Sequence, residues 1–99
     1  MQEFREKIAV VTGAGSGIGR ALTLGFAHEG MHVALADLDE GALAATAALV
    51  TEAAPGVEAM TKGCDVSQAS AVVSLADAVY DRWGQVDVVC NNAGCSWAV

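Results

Sequence analysis

Ile8-Ala9-Val10-Val11-Thr12 is an apolar, strand-prone run that enters a loop with glycine at positions 13, 15, 17 and 19. Apolar residues at helical spacing follow directly. Such a loop lets backbone N–H groups close on a phosphate, and the helix after it aims its positive dipole end at the same point. Glycine suits the loop because a Cβ would block the approach and because some positions require positive φ. The spacing narrows the choice. The common G-x-G-x-x-G fingerprint fails because Ile18 stands where its last glycine belongs, and no Gly-Lys-Ser/Thr follows as a Walker loop needs. The pattern that fits is T-G-x-x-x-G-x-G, carried by Thr12, Gly13, Gly17 and Gly19. A nucleotide or dinucleotide site at the first strand–helix turn of an α/β sheet is expected. The plainer alternative is a glycine-rich connector without a ligand.

The chain has 99 residues, enough for one domain and not two. Its composition, 54% hydrophobic and 17% charged, anticipates a large buried share. Twelve acidic residues against five Lys and Arg disfavour nucleic acid or an anionic membrane as partner. Thr46, Thr51, Glu52 and the glycines break any apolar run long enough to span a bilayer, and the mixed-charge start from Met1 to Lys7 lacks the layout of a signal peptide. A soluble cytoplasmic protein is expected. Cys64, Cys90 and Cys95 show no C-x-x-C spacing, and with only His28 and His32 besides, no metal site is expected. Cys64 and Cys90 lie in apolar runs and read as reduced core residues.

Along the chain, Lys7 to Thr12 is apolar on both faces, as a central parallel strand should be. The following helix carries Ile18, Ala21, Leu22, Gly25 and Phe26 at the spacing of one buried face, and Gly30 ends it. His32 to Asp37 reads as a second strand. A helix from about Leu38 to Ala54 presents Leu43, Ala47 and Val50 and stops at Pro55-Gly56. Val57 to Cys64 is a weaker strand, diluted by Glu58, Lys62 and Gly63, which suggests an edge. Ser67 suits an N-cap, and Ala69, Val72, Val73, Ala76, Val79, Tyr80 and Trp83 form the expected inner stripe of a third helix ending at Gly84. Val86 to Cys90 is a fourth strand, leading into the Asn91-Asn92-Ala93-Gly94 loop. The order β-α-β-α-β-α-β with short connections predicts an α/β, Rossmann-like, doubly wound parallel sheet, incomplete, with strand order 3-2-1-4. The ligand crevice falls between strands 1 and 4.

Asp37 closes the second strand, where an acid can accept hydrogen bonds from both adenosine ribose hydroxyls and repel a 2′-phosphate. It could equally cap the next helix. Ser16 and Leu38 supply no cation for a 2′-phosphate, so NAD is favoured over NADP; Arg20, the nearest cation, could face either way.

Four motifs in order, Thr12 to Gly19, Asp37, Asp65-Val66 and Asn91 to Gly94, resemble the short-chain dehydrogenase/reductase family. The likeness covers nearly the whole chain, from about Phe4 to Gly94. It implies that Gly13, Ser16, Gly17, Ile18 and Gly19 hold the cofactor diphosphate side and that Asp37 holds its ribose. By the same resemblance Asp65 and Val66 line the adenine pocket, and Asn92, Ala93 and Gly94 steady the sheet centre and touch a ribose. Asp65 also reads as a plain turn or cap residue, and Asn91 to Gly94 as ordinary turn chemistry.

The family reaction, hydride transfer between NAD(P) and an alcohol or carbonyl carbon, uses a tyrosine general acid/base. Its serine and Tyr-x-x-x-Lys lie downstream of the Asn-Asn-Ala-Gly loop, whereas Tyr80, the one tyrosine, has Gly84 four residues on. No residue is therefore nominated as catalytic. Residues 1–99 read as a single cofactor-binding part, truncated before the catalytic segment and inactive alone. Its complete enzyme would act on a small alcohol or carbonyl substrate, as a homo-oligomer. The rival reading is a non-catalytic dinucleotide-binding or interaction module. With strand 4 outermost and unpaired, the isolated chain is expected to be marginally stable and to self-associate.

Overall fold

The computed structural model describes residues 4–15, 17–91 and 94–97, the last four by backbone alone. Five strands form one sheet in the order β3-β2-β1-β4-β5. They are β1 (Ile8–Thr12), β2 (His32–Asp37), β3 (Ala59–Gly63), β4 (Val88–Asn91) and β5 (Gly94–Trp97), and the helices between them are α1 (Gly17–His28), α2 (Glu40–Ala53) and α3 (Ala69–Trp83). The first four strands run parallel, with Ile8 beside His32, Ala9 beside Val88 and Val33 beside Ala59. The 3-2-1-4 order is as the alternation predicts. The outer edge of β4 is not open, however. A further strand, β5, pairs antiparallel with β4, with Asn91 opposite Gly94 and Val88 opposite Trp97. Of the expected loop at 91–94, Asn91 ends β4 and Gly94 begins β5, while Asn92 and Ala93 lie outside the described residues, and the sheet edge lies one strand further out.

Central strands buried on both faces explain why β1 and β2 read as continuous apolar runs. Ala9, Val11, Val33 and Leu35 point to one face and pack with Ala27, Met31, Leu43 and Val50 under α1 and α2. Ile8, Val10, Ala34 and Ala36 point to the other and meet Cys64, Leu75 and Val79 below α3. Asp87 ties the start of β1 to the entry of β4. Its carboxylate accepts the Ile8 N–H at 2.8 Å, and its own N–H donates to the Ile8 carbonyl at 2.9 Å.

The inner face of α1 departs from the sequence expectation. Gly19, Thr23 and Ala27 are its buried residues, whereas Ile18 is 71% exposed and Leu22 and Phe26 are only partly covered. The cause is distance. A Cβ on residue 19 would lie 1.9 Å from the Gly13 carbonyl oxygen, so the helix sits too close for a larger residue. The bigger side chains are displaced to the flank. There Phe4, Ile18, Leu22, Phe26 and Met31 line an apolar groove of about 460 Å³.

A similar shift occurs in α3. Leu75 and Val79 are buried, while Val72, Val73 and Tyr80 are exposed, so the wide stripe expected from Ala69 to Trp83 is narrower and centred elsewhere. Gln68, without a side-chain bond, occupies the N-cap, and Ser67 lies in the turn before it, where its hydroxyl donates to Asp65. The far end of α3 is fastened to the β3 side. Arg82 and the Trp83 indole N–H both donate to Glu58 Oε1, at 3.2 and 3.0 Å, and His32 stacks on Trp83 with ring centroids 6.0 Å apart. His32 Nδ1 accepts the Glu58 N–H at 2.9 Å, so this histidine has a partner that its sequence neighbours did not suggest. These donors hold the Glu58 carboxyl below its ordinary value, the Trp83 bond most and Arg82 next.

Cys64 is a buried free thiol. Cys90, expected to be reduced, is disulfide-bonded; the β4–β5 register sets its backbone opposite Cys95. Among the described residues no helix is long and apolar enough to cross a membrane.

The α1 contact yields a direct test. Gly19→Ala forces its methyl group into the Gly13 carbonyl, so the loop and helix must separate. The expected cost is about 3 kcal/mol, whereas Gly25→Ala, whose methyl would find nothing within 4 Å, should be neutral or slightly stabilising. Urea unfolding of both variants checks the contrast.

Candidate functional site

The C-terminal ends of β1, β2 and β4 converge on a cavity of about 790 Å³. Thr12 and Gly13 from β1 and its loop, Asp37 and Leu38 beyond β2, Asp65 and Val66 beyond β3, and Asn91 at the end of β4 form its polar mouth. Val10, Leu75 and Val79 line the part that runs back beneath α3. The mouth sits where strand order reverses from 2-1 to 1-4, the place where open α/β sheets bind ligands. Its volume is that of a small-molecule pocket.

The loop that borders this mouth is shaped by its glycines. Gly13 and Gly17 adopt φ of 65° and 59°, the left-handed region anticipated for part of the loop. Gly15 has a different reason. A Cβ there would meet Asp37 Oδ2 at 2.8 Å and the Ala42 methyl at 2.7 Å. Its absence lets the Gly15 N–H donate to Asp37 Oδ2 at 2.9 Å, while the Ala14 N–H donates to the Ala36 carbonyl at 3.2 Å. The first turn of α1 then begins at Gly17, and the leading N–H groups of a helix have no acceptor within it.

Asp37 is not the cap of α2. Asp39 fills that role, accepting the Ala42 N–H at 3.0 Å. Asp37 instead braces the loop through Oδ2 and receives the Asp39 N–H on Oδ1 at 3.2 Å, with its carboxylate at the cavity mouth. Asp65 does act as a turn residue. Its Oδ1 accepts both the Ser67 hydroxyl at 2.6 Å and the Ser67 N–H at 3.0 Å, an Asx-turn, and it lines the cavity as well. The hydroxyl bond first, and the N–H bond second, hold the Asp65 carboxyl below its ordinary value.

Of the residues named from sequence, Gly13, Asp37, Asp65 and Val66 are thus brought to one cavity. Gly17 and Gly19 stand at the start of α1 beside it, and Gly94 opens β5 opposite Asn91. The side chain of Ile18 points elsewhere, into the apolar groove on the flank of α1. Ser16, Asn92 and Ala93 lie outside the described residues. Sequence reasoning misses Thr46, a buried hydroxyl in α2 that bonds to the loop carbonyls. It also gives Tyr80 a packing role, though this residue is 54% exposed and lines the cavity. A threonine among alanines carries little signal, whereas an amphipathic tyrosine on a cavity-facing helix could have been weighed. Among the described residues no cluster of His, Cys, Asp and Glu is placed to hold a metal.

Parallel strands in this order, with a polar-mouthed crevice at the reversal, define the doubly wound α/β class. The family model for short chain dehydrogenases matches residues 7–99, and the chain belongs to that family. It is 48% identical over 91 residues to a 1-deoxy-11-beta-hydroxypentalenate dehydrogenase of Streptomyces exfoliatus, covering 92% of this chain and 32% of that protein. A short-chain dehydrogenase/reductase of Burkholderia phymatum, solved in complex with NAD, superimposes with a TM-score of 0.83 at 46% identity, covering 90% of this chain and 31% of that one. L-sorbose reductase of Gluconobacter frateurii, solved with NADPH and L-sorbose, gives a TM-score of 0.86 at 35% identity, covering 93% of this chain and 35% of that one. The chain spans about a third of the length of curated relatives such as the Streptomyces exfoliatus dehydrogenase, and 16% of a probable oxidoreductase EphD of Mycobacterium tuberculosis.

The Asx-turn at the cavity rim has a pH signature. A carboxyl whose native value is depressed contributes stability above its unfolded value and loses it as pH falls through the native one. Ser67→Ala removes the hydroxyl donor and keeps the backbone one, so the Asp65 midpoint should rise toward the ordinary carboxylate range without reaching it. Carboxylate-detected NMR titration of wild type and variant reads the shift directly.

Proposed function

We propose that residues 1–99 are the cofactor-binding part of a nicotinamide-dependent oxidoreductase of the short-chain type, and that they take NAD in preference to NADP. The observation that carries this reading is the Asp37 carboxylate at the mouth of a crevice whose other border is the glycine loop. The residues fit the group. Gly13 and Gly17 have the backbone that a close-approaching diphosphate needs, and the start of α1 presents donors and a positive dipole end. Asp37 retains acceptor capacity for ribose hydroxyls, since an ionised carboxylate offers about four lone-pair sites. A 2′-phosphate at the same place would meet a negative charge. Arg20, the cation nearest the loop, is turned toward α2, with its guanidinium on Thr46 and the Gly15 carbonyl.

Asp65 and Val66 would flank the base and Asn92, Ala93 and Gly94 a ribose, with Ser16 and the N–H of Ile18 on the diphosphate. When bound, the nicotinamide supplies hydride to, or accepts it from, an alcohol or carbonyl carbon. This chain's own share is to bind and orient. No residue here is assigned to proton transfer, since Tyr80 has Gly84 rather than a lysine four residues on. The substrate of the whole protein, which we read as a cytoplasmic homo-oligomer, is a small alcohol or carbonyl compound.

The test is a calorimetric titration of the chain with NAD⁺ and NADP⁺. NAD⁺ should bind weakly and more tightly than NADP⁺, and Asp37→Ala should weaken NAD⁺ by about tenfold or more, the worth of a charge-assisted hydrogen bond, while improving NADP⁺ relative to it. Equal affinity of the unmodified chain for both cofactors would overturn the preference. Alcohol-dependent NAD⁺ reduction by the purified chain would overturn the assignment of binding without chemistry.

A further inference from the structure

The peptide group joining Ala14 to Gly15 is held at both ends, and each of its neighbours is held at one end. On one side the Ala14 N–H meets the Ala36 carbonyl and the Gly15 N–H meets Asp37. On the other, Thr46 Oγ1 donates to the Ala14 carbonyl at 2.9 Å and lies 3.4 Å from the Gly15 carbonyl. Arg20 completes the set. Its Nη2 donates to the Gly15 carbonyl, and its Nε donates to Thr46 Oγ1 at 2.9 Å. Thr46 is fully buried between α2 and the loop, so its hydroxyl has no water to fall back on. One hydroxyl thus accepts from α1 and donates to the loop, linking three segments through a single oxygen.

The consequence is one of orientation. Carbonyl oxygens repel a phosphate, and a loop with flexible glycines could rotate them toward it. Here the carbonyls of Ala14 and Gly15 are drawn to the α2 side by donors that cannot be spared. The Ala14–Gly15 peptide plane is fixed before any ligand arrives, and less ordering remains to be done on binding. We propose that Arg20 and Thr46 are positioning residues of the dinucleotide site, holding the loop carbonyls away from the diphosphate. The proposal rests on the cofactor reading above. It also gives Arg20 a task other than charge recognition: a guanidinium engaged on Thr46 and Gly15 has no fork to offer a 2′-phosphate.

The test compares ligands with and without the diphosphate. NMR titrations of the chain with ADP-ribose and with adenosine are run on wild type, Thr46→Val, Thr46→Ser and Arg20→Met. Thr46→Val keeps the shape and removes the hydroxyl; its ADP-ribose affinity should fall about tenfold while adenosine affinity is unchanged. Thr46→Ser, which restores the hydroxyl, should recover most of the loss. Arg20→Met should show the same ligand-selective loss and carries the test if Thr46→Val does not fold. Equal loss for both ligands would mark a general structural defect and overturn the proposal, as would wild-type ADP-ribose affinity in Thr46→Val. Absence of ADP-ribose binding by the wild type would overturn the cofactor reading and this proposal with it.

Discussion

The contact on which most of this structure depends is the one between the start of α1 and the loop that precedes it. Gly19 lies so close to the Gly13 carbonyl that only a hydrogen fits between them. That approach brings Gly19, Thr23 and Ala27 onto the sheet and sets the height of α1 above β1 and β2. With α1 low, Arg20 reaches across to α2 and Thr46 reaches down to the loop carbonyls. The loop's position is therefore not a property of the loop alone. It follows from how closely one helix can pack, and small residues decide that.

The loop and the end of β2 are coupled by the same economy of space. Because residue 15 has no side chain, Asp37 can accept its N–H directly. The carboxylate that reads as a ribose contact is thus also a structural partner of the loop, and Asp39, two residues on, is left to cap α2. Two acids close together in sequence divide two tasks that either could have done. Position decides between them: Asp37 ends a strand beside the loop, and Asp39 stands one turn before the amide it caps.

The strand order and the polar mouth of the crevice were legible in the sequence because each rests on local signals. Apolar runs, glycine spacing and an acid at a strand end all follow from period and turn chemistry. The helix faces were less legible. Ile18, Leu22 and Phe26 make a convincing stripe, and a stripe is read as buried because hydrophobic area seeks cover. Here the sheet is met instead by a glycine, a threonine and an alanine, since closeness of approach outweighs side-chain area at this interface. Ser67 misled for a different reason: it belongs to the turn closed on Asp65, and Gln68 holds the N-cap position. The antiparallel β5 was hidden because Gly94-Cys95-Ser96-Trp97 is too short and mixed a run to read as a strand. Thr46 and the His32–Trp83 stack depend on tertiary placement and have no local signature.

The two faces of the sheet are consequently built on different plans. On one, α1 and α2 pack closely against the sheet and each other, and hydrogen bonds run from both into the glycine loop. On the other, α3 stands over a cavity that extends to the crevice, touching the sheet through Leu75 and Val79 and fastened at its end by the Glu58 cluster. On the cofactor reading proposed above, the close-packed face supplies the fixed backbone for a diphosphate, with the Ala14 and Gly15 carbonyls held toward α2. On the same reading the open face supplies volume for a planar base, which tolerates looser walls because stacking and apolar contact are not directional in the way an N–H bond is. A single parallel sheet can serve both demands because its right-handed crossovers deliver α1 and α2 to one side and α3 to the other. The site sits at the seam between them.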